Sequence, residues 1–177
     1  SNPWGPANPD GVYYINTGSS NLRIKGSRIH GTLVVKCGAG KRVILDDEVL
    51  LHAYREDHPV LIVDGDLDIA LWSNTFNLDE WWWGRNFNPP GSPYNGQWDF
   101  DRWDTYPNEV RGLVHVTGNV NVRRSSRVRG ALICEGKATF TWNTRIIHDP
   151  TLAQNPPLGY SLGADKLRPG NFKRVVD

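Results

Sequence analysis

The chain has 177 residues, enough for one domain that buries its own core without disulfide staples. Twenty basic against nineteen acidic side chains leave a net charge of +1, so nothing points to nucleic acid or to an anionic membrane surface. No apolar run approaches a membrane span and no leader is visible, while two cysteines are compatible with export without requiring it. With no Met anywhere, Ser1 reads as a processed or trimmed start, as in a secreted protein shown without its leader.

Residues 1–10 carry three prolines and Trp4 and read as an extended lead-in. From Gly11 to Trp72 the alternation of apolar and polar residues predicts short strands near 12–15, 22–24, 29–36, 42–45, 49–54, 60–63 and 67–72. Corners rich in Asp, Gly, Lys and Ser separate them. Strands resume near 113–116, 120–122, 127–134, 138–142 and 145–147. The tail from Asp149 is Pro-rich and ends on a candidate strand at 172–176. No apolar period of 3.6 residues runs for ten residues, so almost no helix is expected.

Between the two blocks lies an interruption, 73–111, holding Trp81-Trp82-Trp83, Phe87, Tyr94, Trp98, Phe100, Trp103 and Tyr106. Six of the eight tryptophans fall between Trp72 and Trp103. A structureless stretch of this length is uncommon inside a compact domain, and its aromatic content argues that it packs.

The chain also repeats itself. Ser27-Arg-Ile-His-Gly-Thr-Leu-Val-Val35 returns as Ser126-Arg-Val-Arg-Gly-Ala-Leu-Ile-Cys134, an offset of 99. Gly65 aligns with Gly118 at an offset of 53, which sets Leu61, Val63, Leu67 and Ile69 opposite Val114, Val116, Val120 and Val122. These form the inward ladder. Asp64, Asp66 and Asp68 then face outward, matched by Thr117, Asn119 and Asn121. Recurring strand–corner–strand units are the pattern of a β-solenoid. The expected fold is all-β: a short, single-stranded, right-handed β-helix of one domain (1–177), with rungs over 11–72 and 112–148, a lateral insertion over 73–111 and a C-terminal wrap over 149–177.

The segments Asn86-Phe-Asn-Pro-Pro-Gly-Ser-Pro-Tyr-Asn-Gly96, Asp104-Thr-Tyr-Pro-Asn-Glu-Val-Arg-Gly-Leu-Val114 and His148-Asp-Pro-Thr-Leu-Ala-Gln-Asn-Pro-Pro-Leu-Gly-Tyr160, with the closing Pro169-Gly-Asn-Phe-Lys-Arg-Val-Val176, resemble a group of exported bacterial proteins of planctomycete type. In that group a type IV pilus-associated (PilX-like) N-terminal membrane segment precedes a β-helical passenger. The resemblance implies an address outside the cytoplasm and a fold; it attaches no activity and no catalytic residue.

Among the chemistry-bearing residues, Asp64, Asp66 and Asp68 read as the outward row of one rung rather than as a hydrolase cluster, because the repeat explains their spacing. Asp46-Asp47-Glu48 reads as a charged corner. The histidines at 30, 52, 58, 115 and 148 are scattered, and no nucleophile triad, phosphate loop or zinc spacing stands out. Cys37 and Cys134 share inward parity and are expected as free thiols. The aromatic insertion is the best functional candidate, with Trp81, Trp82, Trp83, Tyr94, Trp98 and Trp103 as ligand-binding residues. Trp81 to Trp83 could equally be the insertion's own core, and exposure of Tyr94, Trp98 and Trp103 is left open. Asp99, Asp101 and Asp104 resemble the start of a calcium loop, without the usual Gly. The competing reading makes them turn and ion-pair residues.

Two functions follow. The first is a non-catalytic structural or interaction module of the cell surface or of a pilus-like apparatus, partnering itself or other surface proteins. The second is a carbohydrate-binding module acting through the insertion. A polysaccharide-cleaving enzyme trails both. No cofactor is expected beyond a possible calcium ion, and no membrane contact by these residues.

Overall fold

The computed structural model describes residues 9–157 together with 159 and 160. Residues 1–8 of the expected lead-in and the candidate strand at 172–176 lie outside the described residues. No helix among the described residues is long and apolar enough to cross a membrane.

The chain coils into a β-solenoid whose turns each contribute short strands. The first turn holds β1 (Val12–Asn16), β2 (Leu22–Ile24) and β3 (Ser27–His30). The second holds β4 (Thr32–Lys36), β5 (Arg42–Asp47) and β6 (Val49–His52). The third opens with β7 (Leu61–Asp64) and β8 (Asp66–Leu71), then leaves the coil for β9 (Leu78–Asp79), helix α1 (Glu80–Trp83) and β10 (Thr105–Tyr106). It rejoins in β11 (Glu109–Val116), whose first half closes the third turn and whose second half opens the fourth. After β12 (Val120–Val122), β13 (Arg127–Cys134) bridges the next two turns in the same way. β14 (Ala138–Phe140) and β15 (Arg145–Ile147) follow, and helix α2 (Pro150–Gln154), capped by Asp149, begins another turn over β13.

All coil pairing is parallel and in register, so equivalent side chains stack from turn to turn. Ile29 pairs with Leu51, Leu51 with Val110, and Val110 with Val128. The 99-residue repeat is therefore a separation of three turns. The 53-residue alignment also holds, with Leu61, Val63, Leu67 and Ile69 beside Val114, Val116, Val120 and Val122. These columns are fully or almost fully buried and make one continuous core. Alternate residues point outward because successive side chains in a strand take opposite faces.

β11 and β13 pass without interruption through a corner at Gly112 and Gly130, with φ of 125° and 137°. A Cβ on Gly130 would lie 2.2 Å from the Gly112 carbonyl oxygen, so the stacked corners require glycine for both dihedral and space.

The insertion ends at Asn108, not at residue 111. Glu109, Val110 and Arg111 already pair with Leu50, Leu51 and His52, because their parity continues the apolar column. Departure and return leave backbone groups without ladder partners, and side chains replace them. Buried Asn108 accepts from Val49 N at 2.9 Å and donates to the Asp47 carbonyl at 3.0 Å. The hydroxyl of Ser126, also buried, accepts from Leu71 N at 2.8 Å. Arg124 reaches the Ala70 carbonyl one turn away and Asp46 and Asp47 two turns away, and lies over the Trp72 ring. Among the described residues the near absence of helix holds apart from α1 and α2, both a single turn or little more.

Cys37 and Cys134 are free and half-buried. Cys134 lies three turns from Val35, its repeat equivalent, which sets the thiols about 14 Å apart along the stack and well outside bridging range.

Leu67 sits between Val43 and Val120 in the buried column. Leu67→Ala is expected to destabilise the fold by about 2–5 kcal/mol. Asp64→Ala, on an exposed position of the same rung, should stay within about 0.5 kcal/mol of the parent. Chemical denaturation of both variants checks the contrast.

Candidate functional site

The insertion is closed at its base by an antiparallel ribbon, with Leu78 opposite Tyr106 and Asp79 opposite Thr105. Asp79 then caps α1 by accepting from Trp82 N, and Gly84 ends the helix in the left-handed region. A turn this short spreads Trp81, Trp82 and Trp83 around three directions, so they cannot share one role. Trp81 and Trp82 are exposed, whereas Trp83 turns back onto the solenoid. Its indole Nε1 donates to Glu48 at 2.7 Å, and its ring lies against Gly26, where a Cβ would come within 2.2 Å of it.

Tyr94 faces inward as well. It packs edge-on against Tyr106 at 5.0 Å, beneath the Arg28 guanidinium. Arg28 donates to the Pro93 carbonyl at 3.0 Å and to the Ser92 carbonyl at 2.7 Å, pinning the loop to the first turn of the coil. The loop reverses at Asn95-Gly96, both at positive φ, between mutual hydrogen bonds of Tyr94 and Gln97. Phe87, Tyr106 and Leu78 enclose Leu50, an outward-facing residue of the second turn, in a small second core. Of the six expected ligand residues, Trp83 and Tyr94 are thus spent on docking the insertion, since leaving Leu50 and these rings in water would forfeit their burial.

At the centre of the insertion stands Glu80, fully buried. Its carboxylate accepts from Phe87 N, from Asp104 N at 3.2 Å and from the Tyr106 hydroxyl at 2.9 Å. Burial, reinforced by that carboxylate, pushes the Tyr106 phenol far above its ordinary range. Asp99 and Asp104 share the amide of buried Asn88, and Asn86 and Asp101 N also donate to Asp99. Of the calcium set read from the sequence, Asp99 and Asp104 converge, joined by Glu80, with oxygens within 4.8 Å of one another. Asp101 does not join them. It is exposed and accepts from Trp103 N at 3.0 Å in a local turn. Glu80 and Asp99 each hold three internal donors and Asp104 holds the Asn88 amide, so the carboxylates act as acceptors that organise the loop.

The outer surface of the insertion is aromatic. Trp81 stacks on Trp103 with centroids 4.7 Å apart and planes within 10°, yet the two residues remain 66% and 68% exposed. Trp98 meets Phe100 edge-on at 5.6 Å, and both are exposed. Between Trp81, Trp103 and Phe100 runs an open cleft of about 280 Å³, bordered by Gly84, Asp101 and Arg102. Arg102 is held there by donating to the Gly84 carbonyl at 3.1 Å. Phe100 belongs to this surface although it was not among the six expected ligand residues; its place two residues after Trp98 was the available signal. Trp142 is 87% exposed between β14 and β15, far from the insertion in sequence.

Asp64, Asp66 and Asp68 lie along the outward row. Thr117 donates to Asp64, and Asn119 N to Asp66 at 2.8 Å. Asp68 is buried beneath Arg42 and Arg123, at 3.5 and 3.3 Å. Comparison with protein-family models, curated proteins and solved structures finds no match.

Glu80→Ala removes the carboxylate that accepts from Phe87 N, Asp104 N and the Tyr106 hydroxyl and is expected to cost about 2–5 kcal/mol. Hydrogen exchange should then rise across residues 78–106 before it rises in the coil. With these acids acting as internal acceptors, excess calcium and a chelator should both leave the parent's melting temperature unchanged; a calcium-dependent rise would instead make them ligands.

His52 stacks on His30 with centroids 4.1 Å apart. Burial, helped by the charges of His30, Arg28 and Arg111, lowers its pKa to about 3. Unfolded, an imidazole titrates near 6.5. Between those values the unfolded chain binds more protons, so stability falls as pH drops through this window. His52→Asn is expected to flatten the decline of melting temperature between pH 6.5 and 4.

Proposed function

We propose that the protein is a non-catalytic interaction module of an exported surface or pilus-like assembly, with the solenoid as a rigid support and the insertion as its contact surface. One observation carries this reading: five large aromatic side chains, Trp81, Trp82, Trp98, Phe100 and Trp103, stay exposed on a loop that an internal carboxylate hub holds in place. A protein rarely leaves such a cluster in water unless something covers it. Rings fixed in advance also lose little freedom on binding, which is how aromatic anchors dominate contact energies.

The cleft between Trp81, Trp103 and Phe100 favours a second, more specific reading, in which the contact is to carbohydrate. The face of a sugar ring presents C–H groups that stack on indole, while its hydroxyls need polar partners at the edge. Asp101 and Arg102 supply a carboxylate and a guanidinium at that edge. A protein partner would call for a drier, wider patch.

Trp81→Ala combined with Trp103→Ala should leave the melting temperature within a few degrees of the parent, since both rings are mostly solvent-exposed. Binding to a glycan array is expected to fall at least tenfold, about 1.4 kcal/mol. Parent protein that binds no glycan, but self-associates or captures a surface protein through the same residues, returns the reading to the broader interaction module. Binding indifferent to both substitutions defeats the tip as the contact surface.

A further inference from the structure

Beside the insertion, on the outward face of the coil, a second surface collects charge. The in-register stacking aligns two outward columns there. One runs Arg28, Leu50, Glu109, Arg127 and Arg145; the other runs His30, His52, Arg111, Arg129 and Ile147. The insertion covers the early turns of this face, through Arg28 against Ser92 and Pro93 and through Leu50 in the second core. Among the described residues the later turns are left open by the insertion, and they carry four arginines.

Glu109 is almost completely buried and is shared by three of them. Its Oε1 pairs with Arg111 and lies 3.5 Å from Arg129 Nε, and its Oε2 lies 3.5 Å from Arg127. One carboxylate cannot satisfy three guanidiniums, each of which offers five N–H donors. Arg127 reaches one further acceptor, the Asn74 side-chain oxygen, at 3.3 Å. The Nε atoms of Arg127 and Arg129 are buried without a hydrogen-bond partner. Arg145, on the next turn alongside Arg127, is exposed and faces no acid among the described residues. Asp149 is the other nearby acid, close enough to Arg129 for that charge to help hold its carboxyl low, after the stronger effect of its bonds to Thr151. Among the described residues four guanidiniums therefore stand against two carboxylates, with donors to spare.

We propose that Arg111, Arg127, Arg129 and Arg145 form an oxyanion site that receives the sulfate or carboxylate groups of an acidic polysaccharide running along the coil beside the aromatic tip. Guanidinium forks match such groups in pairs of parallel hydrogen bonds, and Glu109 fixes three of them in place before the ligand arrives. Turns rise by about 4.8 Å, so the arginines form a ladder along the stack and can meet successive charges of one polymer. The polymeric ligand rests on the carbohydrate reading of the insertion; the anion site itself does not.

The test uses the parent chain with Arg145→Gln and Arg129→Gln, the first being exposed and safe for folding. Inorganic sulfate, titrated against chloride at matched ionic strength, should shift the arginine side-chain resonances in NMR spectra of the parent and not of the variants. Immobilised heparin and polygalacturonate should bind the parent and lose about tenfold in affinity for each variant, whereas a neutral glucan should bind alike in all three. Equal shifts with chloride and sulfate, or acidic-polymer binding unaffected by both substitutions, would overturn the site. Single-stranded DNA bound as tightly as the polysaccharides would overturn the saccharide assignment. Loss of neutral-glucan binding in Trp81→Ala alongside intact sulfate shifts separates failure of one surface from failure of the other.

Discussion

Parallel, in-register pairing between turns is the constraint on which the rest of this molecule depends. Once Leu51 lies beside Ile29 and Val110 beside Leu51, the parity of every neighbouring residue is settled. A slip of one position would send the buried valines and leucines to solvent. The same register that builds the apolar columns builds the outward ones, so the stacking of His30 on His52 and the arginine ladder come from a single geometric rule. Function on a solenoid face is in this sense written in columns rather than in contiguous segments.

The insertion obeys different physics. It has too few strands to hold itself, and it is ordered by a buried carboxylate, a second small core and an arginine clamp on the first turn. Glu80 converts donors that would otherwise stay unpaired into a fixed scaffold, while Trp83 and Tyr94 give up exposure to anchor it. The rings left outside are thereby presented on a stiff support. Division of one aromatic cluster into anchors and contacts depends on which way a single helical turn points each side chain.

Period-two alternation and the two internal offsets made the coil legible: the inward residues, the outward acids and the absence of long helix could all be read from spacing. The return point of the insertion was misjudged because Glu109 and Arg111 look like loop residues, and only Val110 between them carries the column. Glu80 was invisible, since an acid beside three tryptophans has no periodic partner and its acceptors' role depends on donors 7 to 26 residues away. The calcium reading of Asp99, Asp101 and Asp104 assumed convergence from spacing, but local turns send Asp101 outward. The arginine ladder lies wholly beyond the insertion, with its members one whole turn apart in sequence. An offset of 18, linking Arg111 to Arg129 and Arg127 to Arg145, was the signal that could have exposed it.

The fourth turn repeats after 18 residues, whereas the third requires 53 to return to the same place. The difference, 35 residues, is close to the length of the excursion between Ser73 and Asn108. An element that leaves and re-enters at one corner, with its own closing ribbon and its own core, is an exchangeable cassette. Lineages could lengthen, replace or delete it while the coil beneath keeps its stacking, and recognition could diversify without renegotiating the fold.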